Sequence, residues 1–259
     1  MTTEVIGSRF DMGRVVRRTF STVQTNLVTF GVIALLLNVL PQFINGAISS
    51  GEVIAKGNIG LTLLLSLLSL ANIVLLIGGS LVSMGALTYG AVAAFNGRTL
   101  SVADCLKGGA SHWWRIFVVL VLVGVLTGLS ILVFVIPAFI LMVRWYVAVP
   151  VQIIEGLGAR ASMGRSAQLT KGHRWAIFGL LLAALIIVIV IELTLLALVG
   201  GFAGGLAAIA THPAATLLVL PLIQLIFVPL GVTFPASIYY ELTGGTAGSE
   251  SNPVAAVFD

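Results

Sequence analysis

Charge is the scarcest property of this 259-residue sequence: 8% of its residues are Asp, Glu, Lys or Arg, against 59% that are hydrophobic. Soluble domains average about 25% charged residues. Thirteen basic and nine acidic side chains could not screen so much apolar surface from water. That excludes a soluble enzyme, a disordered chain and a nucleic-acid-binding domain. Cysteine is almost absent. The lone Cys105 excludes an intramolecular disulfide and any multi-thiolate metal site. Catalytic patterns are missing as well: there is no HExxH zinc motif, no GxSxG elbow, no Walker phosphate loop and no paired carboxylates at useful spacing. The first 24 residues hold four arginines but lack the apolar stretch of a signal peptide. The 29 glycines have no three-residue period, which excludes collagen; in lipid they permit close helix packing.

What is abundant is long apolar runs. A bilayer core of about 30 Å needs roughly 20 apolar residues per helix. Such runs cover 25–48, then 61–95, where Gly78-Gly79-Ser80 predicts a bend. A third stretch, 116–154, is interrupted only by Arg144 and predicts a hairpin turning near Pro137. The fifth and sixth runs are 175–199 and 214–240, the last punctuated by Pro221, Pro229 and Pro235 and so expected to kink. Six membrane helices result. Basic residues then set the orientation. Eleven lie in the N-terminal segment and the loops after spans two and four, against Lys56 alone in the opposite loops. The positive-inside rule places both termini in the cytoplasm. Trp113, Trp114 and Trp175 mark an aromatic belt on that side.

The basic segments also carry helical stripes. Met12, Val15, Val16, Phe20, Val23 and Leu27 share one face, with Arg14, Arg17, Arg18 and Ser21 on the other, as in a helix lying in the headgroup plane. Ser101 to Asp104 reads as a capping box opening a second surface helix, and a third candidate runs from Leu157 to about Leu169. A shift of 61 residues superposes Ser101, His112, Trp114 and Ile116-Phe117 on Ser162, His173, Trp175 and Ile177-Phe178. The expected fold is therefore all-α, with six spans in three hairpins, each preceded by a cytoplasmic interfacial helix. Convergent interfacial chemistry explains the same matches without a repeat. The expected domain plan is a surface segment at 1–24, a membrane domain at 25–242 and a flexible tail at 243–259.

The stretch from Pro137 to Trp175 is the most specific. It reads Pro137, Val143-Arg144-Trp145, Ala148-Val149-Pro150, Glu155-Gly156, Arg165-Ser166, Leu169-Thr170-Lys171-Gly172 and Arg174-Trp175. It resembles the bacterial membrane-domain family found fused to some glycerophosphoryl diester phosphodiesterases, and its stand-alone relatives. The resemblance implies an all-helical inner-membrane module that, when fused, anchors a hydrolase or presents lipid-derived substrate to it. The catalytic barrel of such fusions is a separate soluble domain, and these 259 residues contain none, so no hydrolase activity is implied.

Candidate functional residues are few. Arg144, about 16 Å below Glu155 on a continuous helix, stands as a structural clamp, a lipid or ligand contact, or part of a transport path. Glu192, the one acid inside a span, is its candidate partner, although its depth lies nearer the opposite interface. Arg165, Ser166, Thr170, Lys171, His173 and Arg174 form a cluster able to hold a lipid phosphate, or else a topology-setting loop. His112 and His173 read as interfacial aromatics rather than metal ligands. Ala86, Gly90 and Ala94, and Gly200 with Gly204, have the spacing of close helix contacts. Asn38 and Asn72 are candidates to bridge helices. No cofactor is expected. The function expected is a non-enzymatic scaffold or accessory subunit that contacts anionic lipid and docks a larger membrane complex or a second copy. The alternative is a transporter or lipid-handling protein centred on Arg144.

Overall fold

The computed structural model describes residues 10–55, 57–133, 135–200 and 220–244, and every regular element in them is helical. In hydrocarbon each backbone polar group must be satisfied within its own segment, and an open helix bundle achieves this without sheet edges. The elements are α1 (Met12–Thr25), α2 (Leu27–Ala34), a π-helical turn (Leu35–Val39), α3 (Leu40–Ile54), α4 (Ile59–Phe95), α5 (Val102–Val133), α6 (Val135–Trp145), α7 (Ala148–Glu155), α8 (Ala159–Leu169), α9 (Arg174–Gly200) and α10 (Leu220–Leu242). Six helical stretches are long and apolar enough to cross a membrane: Leu27–Glu52, Ile59–Phe95, Val102–Ser130, Pro137–Glu155, Arg174–Leu195 and Pro221–Leu242.

Local sequence explains where these helices start. Asp11 caps α1 by accepting from the Arg14 N–H at 3.1 Å, and Asn58 caps α4 through the Leu61 N–H at 3.1 Å. The box at α5 closes reciprocally: Asp104 N donates to Ser101 Oγ at 3.2 Å, while that hydroxyl donates to Asp104 Oδ2 at 2.6 Å. Gly156, at φ +64°, ends α7 in the left-handed conformation that lets the chain double back into α8.

Two expectations differ from the structure. The second surface helix is not separate, because nothing interrupts α5 between Val102 and Val133 and the amphipathic turns run straight into the span. The two segments matched by the 61-residue shift consequently differ: His112 lies within α5, whereas His173 sits in the turn between α8 and α9. The pair Gly78-Gly79 lies within α4, which is one helix of 37 residues. Gly79 is a packing point, since a Cβ there would stand 2.6 Å from the Leu37 carbonyl oxygen. The sixth span is a single helix with Pro229 and Pro235 inside it. Gly204 and the tail from 245 onward fall outside the described residues.

The π turn has a cause in sequence. Pro41 has no N–H for the Leu37 carbonyl, and its ring crowds that oxygen. The helix widens over Leu35–Val39 just before it. Two amides then tie the widened turn to α4: Asn38 Nδ2 donates to Ser83 Oγ at 2.8 Å, and Asn72 Nδ2 to the Pro41 carbonyl at 3.1 Å. Both asparagines therefore bridge helices.

Burial is uneven along the spans. On α4 the buried residues run from Gly79 to Ala93, and before them only Asn72 is buried. Leu63, Leu64, Leu67, Leu70 and Val74 face outward, as do Leu185, Ile186, Ile187 and Val190 of α9. The α4–α5 crossing is made of backbone. A Cβ on Gly109 would meet the Ala86 nitrogen and stand 2.6 Å from the Val82 carbonyl. Val15, Val92, Val147, Ile177 and Ile238 share one cluster, so α1, α4, α9 and α10 converge at the arginine-bearing end. In the described part of the segment expected at 1–24, Val15 and Val23 are buried in the core clusters.

Candidate functional site: the arginine-rich end

Helix α1 presents three faces. Val15, Thr19, Thr22 and Val23 are buried, mostly against α10. Met12 and Phe20, with Leu27 beyond the Asn26 turn, are 47%, 59% and 63% exposed on the adjoining arc. Arg17, Ser21 and Gln24 are exposed on the polar arc. At 100° per residue, Arg14 and Arg18 fall on the border between the polar and buried arcs. That position lets them reach Glu241, whose side chain is only 5% exposed.

The Glu241 carboxylate is held from three sides. Arg14 Nε lies 3.0 Å from Oε1, Arg18 Nη1 lies 3.4 Å from Oε2, and the Asp11 N–H donates to Oε1 at 3.4 Å. Arg18 also lies over the Tyr240 ring, 4.5 Å from its centroid, with Phe95 at 5.9 Å. One helical turn deeper, Thr19 Oγ1 donates to Ser237 Oγ at 2.9 Å. The neighbouring Tyr239 hydroxyl donates to Glu155 Oε1 at 3.0 Å, and Arg165 Nε reaches both oxygens of Glu155 at 3.2 Å. Tyr239-Tyr240-Glu241 thereby joins the N-terminal helix, the end of α4 and the α7–α8 unit at one point.

The residues singled out in the sequence fall into two groups. Several are committed internally. Ser166 and Thr170 turn their hydroxyls onto the Arg144 carbonyl at 2.9 and 3.4 Å; Thr170 also bonds within its own helix, and Arg165 is paired with Glu155. Arg174 donates to the Ala167 carbonyl at 3.3 Å, and His173 stacks on Phe10 with centroids 5.6 Å apart. Others face outward: Lys171, Trp113, Trp114 and Trp175 are exposed, as are Arg17 and Arg160. Ala86 is buried at the α4–α5 crossing, Gly90 abuts Phe30 and Cys105, and Ala94 is half-buried.

Arg144 and Glu192 are both exposed, and no ion pair joins them among the described residues. The Arg144 carbonyl accepts from Ser166 of α8 and from Thr170 just beyond it. A break at Tyr146–Val147 divides the fourth span into α6 and α7.

The family model described as the membrane domain of glycerophosphoryl diester phosphodiesterase matches residues 116–252, just over half the chain. The chain belongs to this family. No curated protein and no solved structure matches it. The family match covers α6 to α10 and most of α5, and so includes Glu155, Arg165, Tyr239 and Glu241. Their partners Arg14 and Arg18 lie outside it. Sequence reasoning missed Glu241 and Tyr239. The available signal was an acid closing an apolar span directly after two tyrosines, opposite arginines four residues apart.

Proposed function

We propose that this polytopic membrane protein is a non-enzymatic scaffold or accessory subunit of the bacterial inner membrane, gripping anionic lipid at its arginine-rich, cytoplasmic end. The observation that carries this reading is α1. Its buried face is fixed to α10 by a clamped carboxylate, which leaves an apolar arc and a polar arc bearing Arg17 side by side at the surface. A helix of that design places its apolar arc among acyl chains and its cations among headgroup phosphates. Arg17, Arg160 and Lys171 are exposed and have no ion-pair partner among the described residues, so they are free to contact headgroups. The outward apolar faces of α4 and α9 supply surface for lipid, for a second copy or for a larger membrane complex.

Purification of the full chain in gentle detergent, with identification of co-migrating proteins, tests the accessory role. A stable stoichiometric partner is expected. Solute flux in proteoliposomes, abolished by Arg144→Gln with folding intact, would favour the transport alternative instead. The exposure of Arg144, outside the buried core, argues for the accessory reading.

A further inference from the structure

The fourth span differs from the other five. It has the largest buried share of the six, yet it is broken at Tyr146–Val147 and resumes as α7 with Val147 at its N-cap, which offers no side-chain bond. Non-helical backbone at membrane depth is tolerated where it is enclosed by protein or lines a polar space. Every residue of α7 from Ala148 to Ile154 is buried. Among them is one polar side chain, Gln152. It is 1% exposed, and neither its Nε2 nor its Oε1 has a hydrogen-bond partner among the described residues. Helical side chains lean toward the N-terminus, which directs the Gln152 side chain toward the turn that opens α7. Thr233, on the adjacent α10, carries a fully buried hydroxyl that also has no hydrogen-bond partner among the described residues.

We infer that the break in the fourth span encloses a small neutral ligand bearing a hydroxyl, either an ordered water or the hydroxyl of a polyol, bound by Gln152. The chemistry of the amide selects this class. Nε2 requires an acceptor and Oε1 requires a donor. An anion satisfies only the first and a metal cation only the second, whereas one hydroxyl oxygen satisfies both. An enclosed amide left without partners is the costly alternative. The inference stands apart from the lipid-gripping surface and goes beyond the scaffold reading.

X-ray radiolytic footprinting of the full chain in detergent, diluted into heavy-oxygen water, tests the inference, with oxidation of the 148–155 peptide read by mass spectrometry. An enclosed water yields oxidation of this buried peptide with slow uptake of the heavy isotope. An enclosed polyol yields a melting temperature that rises with glycerol in the wild type by more than in Gln152→Leu. Either outcome supports the site, and Gln152→Leu is expected to lose the signal and to melt lower than wild type. Gln152→Glu, which keeps an acceptor and loses the donor pair, serves where the leucine variant does not fold. A wild-type peptide that stays unoxidised, in a protein indifferent to glycerol, would overturn the inference. So would a Gln152→Leu protein that melts higher than wild type.

Discussion

Glu241 shows how a single residue can be inconspicuous in sequence and central in structure. A carboxylate at the end of an apolar helix reads as a terminus meeting water. In the fold it is enclosed, and two guanidinium groups and a backbone N–H compensate its desolvation. Hydrogen bonds to charged groups contribute about 1.5–3 kcal/mol, so Glu241→Ala is expected to destabilise the protein by about that amount in a thermal melt. Arg18→Lys should recover only part of the stability lost in Arg18→Ala, because an ammonium keeps the charge but not the planar contact with Tyr240. Gly109 predicts a steric effect. Gly109→Leu drives a side chain into the α4 backbone and should cost at least about 1–3 kcal/mol, whereas Gly128→Ala, with open space around it, should be close to neutral. The close approach at Gly109 was not legible: small-residue spacing drew attention to Ala86 and Gly90 on α4, but the facing residue lies on another helix.

At the scale of elements, the sequence is a good guide to which stretches are helices and a weaker one to where they break. Apolar length locates all six spans because in lipid a helix must bury its own hydrogen bonds, whatever its side chains. Breaks depend on tertiary partners. Gly78-Gly79 stays helical with the π turn packed against Gly79, while the fourth span breaks ahead of Pro150, where Ser166 and Thr170 hold the Arg144 carbonyl. No periodicity argument could supply that break. The Ser101 box was fully legible, since a cap is local chemistry. Ser101→Ala should lower stability by about 1 kcal/mol in the same melt. The orientation has its own check in a Cys105→Ala background: an impermeant thiol reagent applied outside intact cells should label Ser50→Cys and leave Ser21→Cys untouched. The opposite pattern would invert the topology.

Among the described residues, packing is concentrated at the arginine-rich end, and apolar faces of α4 and α9 point outward away from it. Polar residues that are fully buried, among them Thr19, Ser83, Thr88, Ser166, Thr170 and Ser237, belong to the packed end. This asymmetry was only half visible beforehand. The arginines marked the end, but their pairing with Glu241 and Glu155 required α10 and α7 to be brought beside α1 and α8 by the fold. If α1 docks as described, Thr19→Cys with Ser237→Cys in the Cys105→Ala background should cross-link under mild oxidation, since the native hydroxyl oxygens are 2.9 Å apart. Failure to cross-link would detach α1 from the core.

The central claim is that this docked, basic end grips anionic lipid. Native mass spectrometry of the protein released from membranes of mixed phosphatidylglycerol and phosphatidylethanolamine tests it most directly, comparing wild type with Arg17→Gln, Arg160→Gln and Lys171→Gln combined. Each basic residue near an anionic surface contributes roughly 1 kcal/mol. The wild type should retain phosphatidylglycerol preferentially, and the triple variant should lose that preference while melting at an unchanged temperature. Equal lipid retention by the two proteins would contradict the account.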